Sequence, residues 1–292
     1  MQAIGFYLLL PILYLISLLP FFLLYLFSDL LFVFIYYLIG YRRKVVMQNL
    51  RNSFPGKKEE ELHIISKKYY RHLCDLIVES VKALTISKRS IVKRCYFAPG
   101  SMEIFNHYFN EGKNCIALMG HYGNWEWAGL SMSSQSPFLL QVIYRPLANQ
   151  FFDGMMNRLR SRFTAIPLPM ENVAREMLRE NESLTCTVFI ADQTPPPDTA
   201  YWINFLNQET PFFQGADKLA RKLQHPAVYA VLKKRTRGHY EIFIEVLSEN
   251  SSSMNESELT MLFAQRLERD ILEDPSQWLW SHRRWKHKRI GD

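Results

Sequence analysis

The sequence predicts an α/β fold: a mixed, mostly parallel sheet flanked by helices, preceded by an N-terminal hydrophobic helix. Three observations carry this. Short apolar stretches of strand length alternate with amphipathic, helix-length ones from residue 114 to about 273, the order that builds a sheet covered by crossover helices. The first forty residues are almost free of charge. The 292 residues, 48% of them apolar, suffice for one large α/β domain or two small ones and exclude disorder for the chain as a whole.

From Ala3 to Ile39 the sole formal charge is Asp29, in a run of Leu, Phe, Ile and Tyr. A signal peptide needs a basic start and a small-residue cleavage site, and neither is present. A buried core helix is normally shorter. A membrane segment needs ~20 apolar residues, and Ile4–Phe27 supplies them, with kinks expected at Pro11 and Pro20. Arg42, Arg43 and Lys44 follow, which by the positive-inside rule places the remainder on the cytoplasmic side. Residues 30–40 read as a second apolar piece, at the interface or packed on the domain, with Tyr36, Tyr37 and Tyr41 at headgroup level. The expected division is a membrane-anchoring segment at 1–41 and an α/β domain with a basic tail at 42–292. A spanning helix and one lying in the membrane are both open.

Beyond Arg42, residues 44–54 (KVVMQNLRNSF) read as an amphipathic helix ended by Pro55-Gly56. Residues 57–85 place Leu62, Ile65, Tyr69, Leu73, Leu76, Val78 and Val81 among charges, a long helix. Asn114–Gly120 (NCIALMG) is a short buried strand, followed by glycines and a helix from Trp125. Strands at 138–144, 164–169 and 184–191 alternate with helices at 148–160 and 171–181; the last strand ends at Asp192-Gln193 and the loop TPPPD. A helix at 214–224, two strands at 226–233 and 240–247 joined near Arg237-Gly238, and a helix at 256–273 complete the domain. In such folds, sites gather on loops leaving the carboxyl ends of strands.

The net charge of +7 suits an acidic partner: a phospholipid surface, nucleic acid or an acidic protein. No nucleic-acid motif accompanies the charge, and the hydrophobic N-terminus argues against nucleic acid. Cys74, Cys95, Cys115 and Cys186 lie far apart, without CxxC or a Cys/His ligand spacing. They read as small buried hydrophobes in a reducing compartment.

The chemistry concentrates in LMGHYGNWEWAG, residues 118–129. His121 and Glu126 are five apart, about 140° around an ideal helix, so one helical face cannot hold both. They meet if the strand ends at His121, the chain turns through Gly123, and Glu126 sits in the first turn of the next helix. A carboxylate there is favoured by the helix dipole and holds the far N–H of the imidazole, leaving the other nitrogen as a general base. A core histidine with a chance neighbour is the plain alternative. A metal site of His121, Glu126 and Asp192 is another, unsupported by any HExxH spacing. No GxSxG elbow is present, so nothing suggests a hydrolase-type nucleophile.

His-x4-Glu within GHYGNWEWA resembles the His-x4-Asp/Glu motif of glycerolipid-type acyltransferases. The stretches NLRNSFPGKKEEEL, QVIYRPLANQ, IADQTP, TPFFQGADKLARKL and PSQWLWSHRRWK are similar, in the same order, to blocks of the lipid A late acyltransferases. The similarity runs from about residue 10 to 288. It implies a glycerolipid-acyltransferase-like fold and direct acyl transfer without a cofactor or metal. His121 is then the base and Glu126 its orienting carboxylate. Asn124, Trp125, Arg145, Asp192, Gln193, Phe212, Phe213 and Gly215 fall among the implied substrate-binding residues. Arg145 is suited to phosphate by its planar guanidinium, and the phenylalanines to an acyl channel or to ordinary core packing. The block reads Phe-Phe-Gln-Gly where relatives commonly have Phe-Phe-Gly, a departure in local geometry.

The resemblance further implies an acyl carrier protein thioester as donor, an anionic glycolipid such as a lipid A precursor as acceptor, and an inner-membrane enzyme facing the cytoplasm. An amino-acid lipid, another glycolipid or a lysophospholipid are alternative acceptors. A membrane-anchored hydrolase using the same His/Glu pair and a non-enzymatic scaffold are alternatives of other classes. The tail HRRWKHKRIGD sets five Lys/Arg among Trp285 and two histidines, which suits an anionic membrane surface at ~1 kcal/mol per charge or a simply solvated basic end.

Overall fold

The computed structural model describes residues 2–179 and 182–289. In chain order its strands are β1 (Cys95–Phe97), β2 (Cys115–Met119), β3 (Leu139–Tyr144), β4 (Ile166–Pro169), β5 (Thr185–Ile190), β6 (Tyr201–Phe205), β7 (Gln208–Phe212), β8 (Ala227–Thr236) and β9 (His239–Ser248). Seven of them form one sheet in the order β1-β9-β8-β2-β5-β3-β4, while β6 and β7 pair as a separate hairpin. Every pairing in the large sheet is parallel except β8 with β9. The expected mixed, mostly parallel α/β architecture is what forms.

The helices are α1 (Gln2–Leu18), α2 (Phe21–Phe32, continued by a π-helical turn Val33–Ile39), α3 (Arg43–Ser53), α4 (Glu59–Lys82), α5 (Lys88–Arg94), α6 (Ser101–Asn110), α7 (Trp125–Gln135), α8 (Gln150–Arg160), α9 (Val173–Met177), α10 (Gly215–Leu223) and α11 (Glu258–Glu273). They cover both faces of the sheet. Strand β2 is buried throughout, as the uninterrupted CIALM run requires of a central parallel strand. Its alternation divides the core. Ile116 and Leu118 join a cluster with α3, α4, α10 and α11; Cys115, Ala117 and Met119 join one with α5, α6, α7 and α8.

Several elements differ from expectation. Helices α5 and α6 and strand β1 lie in a stretch too finely divided for a periodic signal to stand out. The β6–β7 hairpin turns at Leu206 and Asn207, both at positive φ (53° and 61°), without the Asn-Gly pair that announces such turns. The helix expected at 171–181 shrinks to α9 after a 3₁₀ turn at Met170–Asn172, and residues 180–181 of that expectation lie outside the described residues.

The N-terminus needs a larger correction. The apolar run does not form one segment over Ile4–Phe27. Pro11 stays inside α1, but the helix breaks at Leu19–Pro20, because the residue before a proline is disfavoured in the α conformation. Lys82 Nζ accepts the task of satisfying the broken end, donating to Ser17 O and Leu19 O at 2.8 Å each. Among the described residues, the helix long and apolar enough to cross a membrane is therefore Phe21–Ile39, 19 residues of mean hydropathy 2.2. One side of it, Leu24, Ser28, Phe32 and Tyr36, is buried against the domain; Phe22, Leu26, Leu30, Phe34 and Leu38 are exposed.

Candidate active site

Strands β2 and β5 are parallel neighbours with Met119 opposite Ile190. Two residues beyond each lie His121 and Asp192. The register therefore delivers both side chains to the same carboxyl edge of the sheet, from positions 71 apart in sequence. Asp192 is buried and accepts three hydrogen bonds: from His121 Nδ1 at 2.5 Å, from the His121 backbone N–H at 2.8 Å and from Trp278 Nε1 at 2.8 Å. Burial alone pushes its pKa up, but the His121 charge and these three donors outweigh burial and hold it at about 2. An ionised carboxylate only accepts, so Nδ1 carries a proton, and in the neutral form of the imidazole the lone pair is on Nε2. Nε2 lies 3.2 Å from the amide nitrogen of Gln193, an exposed side chain. The half-buried Trp125 sets its ring edge against the imidazole, centroids 4.9 Å apart.

The backbone around His121 is fixed by the chain's far end. Leu279 N–H donates to His121 O at 3.1 Å and Gly123 N–H to Gln277 O at 3.0 Å. Gly123 has φ +63°, and a Cβ there would sit 2.5 Å from the Leu232 carbonyl oxygen, so both the turn and the packing require glycine. The PSQWLWSHRRW stretch is consequently interior structure over much of its length, with Trp278, Trp280 and Arg284 buried. Arg284 donates to Pro211 O at 2.6 Å and lies 4.6 Å over the Phe212 ring; burial pushes its pKa down to about 10. This corrects the view of the tail as a purely superficial basic end. Exposure is kept at Arg283, Lys286, Lys288 and Arg289, and 290–292 lie outside the described residues.

Glu126 is in the first turn of α7, as expected, but it does not hold the imidazole. Asp192 occupies that position, and Glu126 instead forms a two-point ion pair with Arg160, at 2.6 and 3.2 Å. Arg160, at the end of α8, also lies 5.7 Å over the Tyr144 ring. Burial works against its charge, yet Glu126 raises its pKa. Among the described residues no three His, Cys, Asp or Glu side chains group at metal-binding range, so His121, Glu126 and Asp192 do not converge as a ligand set.

Asn124 is buried: Oδ1 caps α7 by accepting from Trp127 N–H at 3.0 Å, and Nδ2 donates to Glu79 at 2.7 Å. Its groups are thus consumed inside the protein. Arg145 is exposed in the loop after β3, without a hydrogen bond or ion pair among the described residues. Phe212 is core, packed on Phe205 and Phe263; Phe213 is half-buried and Gly215 exposed at the start of α10. Sequence reading missed Arg160 and Trp278 as partners of the site. The Trp in the SQWLW block was a visible signal for Trp278; no signal marked Arg160. The four cysteines are free and buried.

The model of the family described as bacterial lipid A biosynthesis acyltransferase matches residues 1–287. A lipid A biosynthesis palmitoleoyltransferase of Escherichia coli (strain K12) is 22% identical over 255 residues, covering 86% of this chain and 81% of its own. A lipid A biosynthesis acyltransferase of Haemophilus influenzae is 24% identical over 254 residues, covering 85% and 79%.

Proposed function

The chain belongs to the bacterial lipid A biosynthesis acyltransferases, and from that membership we propose that it moves a fatty acyl group from an acyl carrier protein thioester to a hydroxyl of a glycolipid, in the first place a lipid A precursor. The observation that carries the mechanism is the Asp192–His121 pair, in which Nδ1 faces the carboxylate and Nε2 faces the exposed Gln193. The acceptor hydroxyl takes the place of the Gln193 amide at Nε2 and loses its proton to it as its oxygen attacks the thioester carbonyl. The tetrahedral intermediate collapses, the C–S bond breaks, and the imidazolium returns the proton to the leaving thiolate. Asp192 stabilises the imidazolium throughout. Glu126 acts with Arg160: the pair braces the start of α7 and the end of α8 beside this edge and keeps a cation near developing negative charge. Arg145, exposed and without a partner among the described residues, is the proposed contact for an acceptor phosphate, and Phe213 and Gly215 border the acyl path.

Residues 1–41 attach the protein to the inner membrane. The exposed apolar side of Phe21–Ile39 supports this, and Arg42, Arg43 and Lys44 support a cytoplasmic domain. Since the other side of the helix rests on the domain, the reading places it in the cytoplasmic face of the bilayer with the domain beside it. Lys44, Arg283 and Lys286, with Trp285, line an open cavity of about 410 Å³ at that end of the molecule, suited to anionic headgroups.

The test is lipid mass spectrometry on a deletion strain. Loss of one acyl chain from lipid A, restored by the wild-type gene and not by His121→Ala at equal protein level, is expected. An unchanged lipid A in the deletion strain, or full restoration by His121→Ala, overturns the proposal.

A further inference from the structure

Glu79, near the end of α4, is fully buried, yet it makes no ion pair among the described residues. Its carboxylate is a junction for hydrogen bonds from three separate elements. Tyr25 of α2 donates its hydroxyl to Oε1 at 2.7 Å. Asn124, the cap of α7, donates to Oε2 at 2.7 Å, and Tyr240 of β9 donates to Oε2 at 2.8 Å. The Glu79 carbonyl accepts from the Trp127 indole at 2.9 Å.

Burying a carboxylate is costly even when hydrogen-bonded, and an apolar residue in its place would stabilise a core more simply. What the carboxylate supplies is fixed geometry among the elements it joins. Two of them matter to the site: the apolar N-terminal helix, and Asn124, three residues after His121.

The N-terminal helix is built for this contact. Tyr25, Ser28 and Asp29 share the side that faces the domain. Ser28 donates to Asp75 at 2.8 Å, and Arg237 bridges Asp29 and Asp75 at 2.7 Å each. Asp29, the lone charge of the apolar run, is thus a docking group. Gly238, at φ +73°, leaves room for Tyr25, whose hydroxyl oxygen lies 2.0 Å from where a Cβ would stand. Phe21, one turn earlier, meets the Trp127 ring edge-on with centroids 6.1 Å apart.

We infer that Glu79 is a positioning residue: through Tyr25 and Asn124 it ties the apolar N-terminal helix to the loop and helix start that carry His121 and Glu126. The helix is then a working part of the active site as well as an attachment to lipid. This rests on the function proposed above for His121, but the contact itself is independent of the reaction.

The test uses the full chain in anionic-lipid nanodiscs with Tyr25→Phe, Glu79→Gln and the double variant. Tyr25→Phe keeps the ring and the lipid-facing surface and removes one hydrogen bond to the buried Glu79 carboxyl group, so kcat is expected to fall about tenfold with KM for both substrates and nanodisc binding unchanged. Glu79→Gln falls further, and the double variant no further than Glu79→Gln, because Tyr25 acts through Glu79. Hydrogen exchange at residues 125–128 quickens in both single variants, while β2 and β5 keep wild-type protection. Wild-type kcat and exchange in Tyr25→Phe, or losses that simply multiply in the double variant, overturn the inference. If the wild-type protein transfers no acyl group, the functional reading fails, and unchanged exchange at 125–128 in Tyr25→Phe then still overturns the coupling.

Discussion

Replacing Asp192 with Asn separates the two carboxylates that sequence proximity and structure nominate for the imidazole. In the wild type, Oδ2 accepts both the His121 backbone N–H and the Trp278 indole, and Oδ1 accepts Nδ1–H. An asparagine has one acceptor oxygen. Two donors at one position outweigh one at the other, so the amide oxygen stays with the backbone and the indole, and its NH₂ faces Nδ1. Nδ1 must then accept, and the proton moves to Nε2, the nitrogen proposed as the base. The variant also loses the charge that stabilises the imidazolium. Opposite unit charges about 4 Å apart attract by about 4 kcal/mol at an effective dielectric of roughly 20, close to three decades in rate. Two of the three hydrogen bonds survive, so the fold persists. Steady-state acyl transfer from an acyl carrier protein thioester should show kcat reduced about a thousandfold with KM little changed. Glu126→Gln should lose less. A kcat for Asp192→Asn within about threefold of wild type, or a larger loss in Glu126→Gln, refutes the assignment of Asp192 as the imidazole's partner.

Asp192 also makes stability depend on acid. Its folded pKa of about 2 lies below the ordinary unfolded value of about 3.9, so its contribution is fully present above pH ~4 and lost as pH falls towards 2, on the order of 2–3 kcal/mol. The stability gap between wild type and Asp192→Asn, from urea melts at pH 6 and pH 3, should shrink at the lower pH; a constant gap contradicts the shift. Truncating Glu126 to Ala strands the largely buried Arg160 cation and should cost up to about 3 kcal/mol, with Glu126→Ala/Arg160→Met recovering much of the melting temperature; no recovery contradicts the pairing. Neutralising Lys44, Arg283 and Lys286 together removes about 1 kcal/mol per charge at an anionic surface. Sedimentation with phosphatidylglycerol vesicles should show roughly a hundredfold weaker binding at low salt, and unchanged binding rules out that surface.

The fold was readable from periodicity because its central strands are continuous apolar runs bounded by glycine, proline or charge. Cys115–Met119 and Thr185–Ile190 both appear within a residue or two of their expected limits. The position of His121 was readable too, since a strand ending in a glycine-flanked histidine places that residue at the carboxyl edge of the sheet. Its partner was not. Glu126 is near in sequence, whereas Asp192 is near only through the β2–β5 register, which pairs residues 71 apart. Linear motifs exposed both residues but not which one the imidazole meets. The tail misled for a related reason: its charges suggest solvent, while the buried neighbours of Trp278 and Arg284 come from strands and loops far away in sequence. Where the N-terminal run breaks was decided by Pro20, and which side of it meets the domain by Tyr25, Ser28 and Asp29, whose partners a single strand of text does not display.

The most direct measurement is single-turnover transfer of a radiolabelled acyl group from carrier protein to purified lipid A precursor by His121→Ala, with circular dichroism and a melting curve matching wild type. No acylated lipid above the uncatalysed background, and no labelled protein, is the predicted result. Transfer at the wild-type rate, or label trapped covalently on the enzyme, contradicts His121 as the base of a direct acyl transfer.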